Sequence, residues 1–340
     1  MQVFATMSER MSATEVVAHA RRVEAMGYDG LLVPEAVHDG FLTSMAALTA
    51  TEQLKVTTSV LVVFPRSPMI VAHAAWDLQA LSGGRFELGL GTQVRGNIVG
   101  RFSTPWISPV PRMREYVESL KAIFHSFQTG DELSYEGKHY QFTRLQDFFN
   151  PGPLETPAPP ILLGAVGPDM TRMAGGTADG LMTHPTNSSP HYIEEVTLPR
   201  VAEGAARRGR SADACPILAA GLVATGIDIA AVRAKREWVR ELFTFLYSTP
   251  AYWPSLDHHG WGEVGRRLHD LTKAGNWAGM NGLITDEIID TLVPQGTYAD
   301  IAGILIEAFG PIVDRITFPV PDDPALDSEA AKVLAALRAG

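Results

Sequence analysis

The chain has 340 residues, 46% of them apolar and 19% charged, with a net charge of −10 at neutral pH. That composition can bury a large core, and its charges are spread with no basic stripe, which argues against nucleic acid as a partner. No stretch approaches the roughly 20 apolar residues that span a bilayer, and Met1-Gln2-Val3-Phe4 lacks the basic and apolar regions of a secretory signal, so a cytoplasmic location without membrane contact is expected.

In chain order, residues 2–6 read as a first strand. Ser12 and Glu15 then have capping-box spacing ahead of Val16, Ala20 and Val23 on one helical face. Further apolar runs of strand length follow at 30–33, 55–62, 86–91, 160–165, 180–184, 216–225 and 315–319. Several are apolar throughout, as expected when helices cover a parallel sheet. Between the fourth and fifth runs, Met113, Val117, Leu120, Phe124 and Phe127 recur at three-and-four spacing and mark a helix. Thr297 with Asp300 repeats the capping spacing before Ile301, Ile304 and Leu305.

Eight strand–helix units in alternation predict a (β/α)8 TIM barrel. A doubly wound open sheet needs a glycine fingerprint after the first strand, where Thr6-Met7-Ser8 has none. One barrel domain is therefore expected over 1–320, with insertions at about 128–160 and 249–296, then a C-terminal helical extension at 321–340. The first insertion contains a hairpin pattern at 133–142 around Glu136-Gly137; the second is rich in tryptophan and tyrosine. The long segment 92–111 leaves a strand and is expected on the catalytic face.

Some chemistries find no support. Cys215 is the single cysteine, beside Ala214 and Pro216, and reads as a buried structural thiol. His258 and His259 are adjacent, and no His-Glu-x-x-His or paired-cysteine spacing occurs, so no metal site is predicted. Gly-x-Ser-x-Gly is absent too.

Four motifs carry a resemblance: Thr58-Ser59-Val60-Leu61 with Arg66-Ser67-Pro68; the run from Trp76 to Phe86 ending Leu81-Ser82-Gly83-Gly84-Arg85-Phe86; Leu88-Gly89-Leu90-Gly91-Thr92; and Ala165-Val166-Gly167-Pro168 with Ala178-Asp179-Gly180. On these the chain resembles the luciferase-like flavin and deazaflavin oxidoreductases, within them the branch that uses coenzyme F420. The resemblance implies a cis peptide bulge at Ser59-Val60 against the cofactor ring. It also places the cofactor phosphate at the turn Ala165, Val166 and Gly167. Gly91 closes its strand without a side chain, so a planar ring can approach and the Thr92 hydroxyl can meet it, and His184, ending the sixth strand, is expected at the same mouth. In that branch an acid and a histidine end the second strand and a glutamate follows the fourth. Here Glu35 keeps the acid, while Ala36 and Val94 stand at or near the other two positions, so sugar-phosphate oxidation is not predicted. His38 and Arg95, with Glu35, are the catalytic candidates: a histidine suits proton transfer near neutrality, and a guanidinium suits an anionic oxygen. Arg66 is a further candidate of that kind.

The expected activity is hydride transfer between F420 and a small organic substrate with an activated C=C or C=O. A reduced-FMN monooxygenase and a non-catalytic barrel that binds cofactor or a partner are the alternatives. A homodimer is implied by the resemblance.

Overall fold

The computed structural model describes residues 1–340. Eight parallel strands form the barrel: β1 (Gln2–Thr6), β2 (Gly30–Val33), β3 (Lys55–Thr58, resuming at Leu61–Val62), β4 (Phe86–Gly91), β5 (Ile161–Gly164), β6 (Gly180–Met182), β7 (Ile217–Ala219) and β8 (Arg315–Thr317). Each pairs with its neighbours in sequence, β8 returns to β1, and β3 meets β4, so the sheet closes and leaves no edge. Around it lie α1 (Ala13–Met26), α2 (Gly40–Ala50), α3 (Pro68–Ser82), α4 (Pro109–Thr129), α5 (Pro168–Thr177), α6 (Leu198–Arg207), α7 (Ile301–Phe309) and α8 (Asp327–Ala339). No helix is long and apolar enough to cross a membrane.

Local chemistry sets these elements. Ser12 and Glu15 form the reciprocal capping box of α1, and Gly27 ends that helix at φ 92°. α4 buries Met113, Val117, Leu120, Phe124 and Phe127, the stripe expected from spacing. Thr297 differs from its expected role. Its hydroxyl bonds the Asp300 carboxylate rather than a backbone N–H, and Asp300 itself precedes α7.

Two core layers matter for the site. Between sheet and helices lies the main cluster, while Phe4, Leu32, Leu162, Met182 and Leu218 fill the barrel interior, with Val60 and Ala220 packed against them at the top. At the bottom, Glu87 accepts from Thr57 at 2.9 Å and from Arg315 at 3.0 Å, a buried polar layer on the stability side.

Four strands end earlier than their apolar runs. β5 stops at Gly164, β6 at Met182 and β8 at Thr317, and β7 stops at Ala219, after which Ala224–Gly226 pairs separately with Gln295–Thr297. Past these ends Ala165 and Val223 still pack into the main core, and Leu222 packs against the core of the inserted helices. That insert has its own core, including Val239 and Phe243 from the helix Ile229–Leu246 together with Tyr247, Leu256, Leu268 and Ile289. The helical packing thus starts ahead of residue 249. The hairpin is present as Tyr135–Glu136 against Gln141–Phe142.

Candidate active site at the carboxyl ends of the strands

The third strand supplies the floor. It pairs Thr57 with Glu87 but Leu61 with Leu90, gaining one residue over β4, and the Ser59–Val60 peptide within this bulge is cis. Val60 turns its side chain over the barrel centre. A Cβ on Gly91 would sit 2.2 Å from Val60 Cγ2, and one on Gly164 would sit 2.7 Å from Val60 Cγ1. Two strand-end glycines are therefore required to seat one valine, leaving an apolar platform at the mouth. Thr58 fixes the strand beside it, donating to the Gly89 carbonyl at 2.7 Å and accepting from the Gly89 N–H at 2.9 Å.

Glu35 belongs to a tight structural pair. Its carboxylate accepts from Arg66 at 2.5 and 3.0 Å and from the Val62 N–H at 2.6 Å, with its side chain only 8% exposed. Arg66 also donates to the Val62 carbonyl and to Asp39, whose other oxygen caps α2. Both charges are thus spent on holding the strand after the bulge, and neither the Glu35 acid nor the Arg66 cation is free for substrate. His38 lies exposed on the same loop, with no hydrogen-bond partner in the chain. Arg95 is exposed at the start of a short helix, Arg95–Gly100, and makes no ion pair.

Thr92 is half-buried and its hydroxyl donates to the Gln93 carbonyl at 3.0 Å. Gln93, which motif reading passed over, takes φ 60°, and its side-chain oxygen accepts from the Val94 N–H and the Asn97 amide. A glutamine in a left-handed conformation has no sequence signature, since asparagine and glycine are the usual occupants. The loop is further tied down by Arg101, which donates to the Ala36 carbonyl, and by Arg112 over the Phe64 ring at 4.4 Å.

After β5 the chain makes an anion-shaped turn. Ala165 is buried and still donates to Met182, but the N–H groups of Val166, Gly167, Asp169 and Met170 find no acceptor in the protein. Gly167 is the residue before α5, which starts at Pro168, and a Cβ there would meet nothing within 4 Å. Free donors converging at a helix start, with open space above them, suit a phosphate. A cavity of about 430 Å³ outside the barrel reaches Asp169 and is rimmed by Arg114, Arg172, Arg207 and Arg208. Glu118, Glu203 and Asp169 hold those guanidiniums in ion pairs.

His184 closes this side. Its ring stacks on Tyr252 with centroids 4.4 Å apart and planes 4° from parallel. Burial pushes its pKa down to about 4, so the imidazole is neutral at pH 7. Nδ1 faces Thr186, 2.9 Å from its hydroxyl and 3.3 Å from its N–H, an arrangement that suits Nδ1 as acceptor, and Nε2 has no partner in the chain. Asn187 links the loops, donating to the Ala165 carbonyl and accepting from the His184 N–H. Tyr252 and Asn187 were not foreseen. Tyr252 comes from the inserted helices, and nothing local in sequence aims it at strand six.

The sequence pattern of the luciferase-like monooxygenase family matches residues 2–315. This chain belongs to that family. Membership brings the enzyme class, a flavin- or deazaflavin-dependent oxidoreductase. An uncharacterized protein of Mycobacterium tuberculosis is 42% identical over 294 residues, 86% of each chain. An F420-dependent glucose-6-phosphate dehydrogenase of Nocardia farcinica is 31% identical over 228 residues, 62% of this chain and 64% of that one. In fold, the coenzyme F420-dependent tetrahydromethanopterin reductase of Methanopyrus kandleri is similar with a TM-score of 0.79 at 19% identity, covering 98% of this chain and 97% of its own.

Proposed function

We propose that this luciferase-like protein uses coenzyme F420 to transfer hydride to or from a small organic substrate with an activated C=C or C=O. The observation that carries the reading is the apolar Val60 platform seated on Gly91 and Gly164, two strands from a turn with four unpaired N–H groups. A planar ring and a phosphate need those two surfaces side by side. The residues present therefore fit a phosphorylated tricyclic cofactor, and the name of the Nocardia relative supports F420 over FMN.

When bound, the deazaflavin supplies hydride chemistry. The chain's part is binding and orientation. Val60 backs the ring, the N–H groups from Val166 to Met170 hold the phosphate, and neutral His184 offers Nε2–H to an acceptor without an imidazolium charge. His38, exposed beside the mouth, is the proton donor or acceptor, and Arg95 meets an anionic oxygen of ring or substrate. Glu35 acts through Arg66 and Val62 as a positioning residue. The loop 92–111 and the inserted helices exclude water. The active unit is a homodimer in the cytoplasm.

Fluorescence-quenching titration of the protein with F420 and, in parallel, with FMN tests the reading. Micromolar or tighter F420 binding with much weaker FMN binding supports it. The reverse preference moves a reduced-FMN monooxygenase into first place, and tight F420 binding with no turnover over a broad substrate panel favours the non-catalytic barrel.

A further inference from the structure

Away from the platform, three side chains with metal-binding chemistry converge from two distant segments. His191 and Glu195 stand four residues apart on the helical stretch leading to α6, with His191 Nε2 3.2 Å from Glu195 Oε1. His258, at the end of the inserted helix Pro254–His258, brings its Nε2 to 3.2 Å from Glu195 Oε2 and 3.4 Å from His191 Nδ1. One ligand atom from each residue lies within 4.8 Å of the other two. Tetrahedral zinc with ligands at about 2.0–2.2 Å needs donor atoms roughly 3.3–3.5 Å apart; His191 now faces Glu195 with Nε2 and His258 with Nδ1, so its ring must turn to present one nitrogen to an ion shared with the other two.

A surface ion pair would need one histidine and one carboxylate. Here a second imidazole shares the same carboxylate, and a third ring, His259, lies 5.4 Å from that of His191. The His259 Nε2 is buried with no hydrogen-bond partner in the chain, a rare state for a native polar atom. Adjacency of His258 and His259 argued against a metal when read alone, because neither His191 nor Glu195 is near them in sequence.

We propose that His191, Glu195 and His258 bind a divalent transition-metal ion of the zinc class, leaving a coordination position for water. The ion clips the inserted helices to the loop after β6. That connection matters for the mouth, since the insert also carries Tyr252 on His184, and Tyr247, whose hydroxyl donates to the Thr186 carbonyl at 2.9 Å. The inference does not depend on which cofactor the barrel holds.

Calorimetric titration of chelator-treated full-length protein with zinc(II) decides it, alongside cobalt(II) absorption as a report of tetrahedral geometry. Wild type is expected to take up one equivalent with micromolar or tighter affinity and to gain thermal stability. His191→Ala and Glu195→Gln, both exposed sites checked for folding by circular dichroism, are expected to weaken binding by roughly 100-fold or more. No uptake by wild type, or uptake unchanged in both variants, overturns the site.

Discussion

The side chain of Val60 occupies the space that a Cβ on Gly91 would need, at 2.2 Å from Cγ2. The glycine is there for its neighbour, not for a turn, since its strand conformation is ordinary. Gly91→Ala is expected to cost about 1–3 kcal/mol by overpacking and to weaken cofactor binding. Adding Val60→Ala should return most of the stability. Gly89→Ala should resist such rescue, because its Cβ would meet the Thr58 backbone carbonyl at 1.8 Å. Denaturant unfolding of the double-mutant cycle measures the coupling; additive losses at Val60 and Gly91 would contradict the packing account.

Removing Arg66 should harm the fold more than neutralising Glu35. Arg66→Ala leaves an almost buried carboxylate without its cation, a loss of roughly 3 kcal/mol. Glu35→Gln keeps an acceptor for the Val62 N–H and should cost about 1–2 kcal/mol. Chemical denaturation of the two variants gives the order directly.

His184 sets a pH signature with a definite sign. Its folded pKa of about 4 lies below its ordinary value of 6.5, so between these values the unfolded chain binds a proton that the folded chain refuses. Its contribution is fully present above pH 6.5 and is lost as pH falls toward about 4, up to about 3 kcal/mol. His184→Phe preserves a ring for Tyr252 and should flatten that part of the stability profile. An unchanged slope between pH 6.5 and 4 would assign the effect elsewhere.

His38→Ala should leave cofactor affinity unaltered, because the side chain is exposed and makes no hydrogen bond in the chain. On a confirmed substrate, kcat should drop by about 100-fold with loss of one limb of the pH profile. A wild-type rate across pH would remove the proton-transfer role.

Cys215 should be inert. Burial pushes its thiol up to about 12, and only 2% of the residue is exposed. A thiol reagent at pH 8 should label the native protein slowly and the unfolded protein at once, giving a single-site readout of opening.

What sequence alone determined here is whatever depends on neighbours in the chain. Hydrophobic period and capping chemistry are local, and they located all eight strands, the Ser12–Glu15 cap and the buried stripe of α4. The turn at Gly167 and the bulge at Ser59–Val60 were legible from motifs that resemble a family. Tertiary structure decided whatever depends on which distant segments meet. Glu35 looked like an available acid until Arg66, on the loop after the third strand, claimed it, and Tyr252 met His184 only through the inserted helices. His191, Glu195 and His258 likewise converge across more than 60 residues of chain. A side chain's chemistry is set by its partners, and partners brought together by barrel closure and helix insertion leave no period in the sequence.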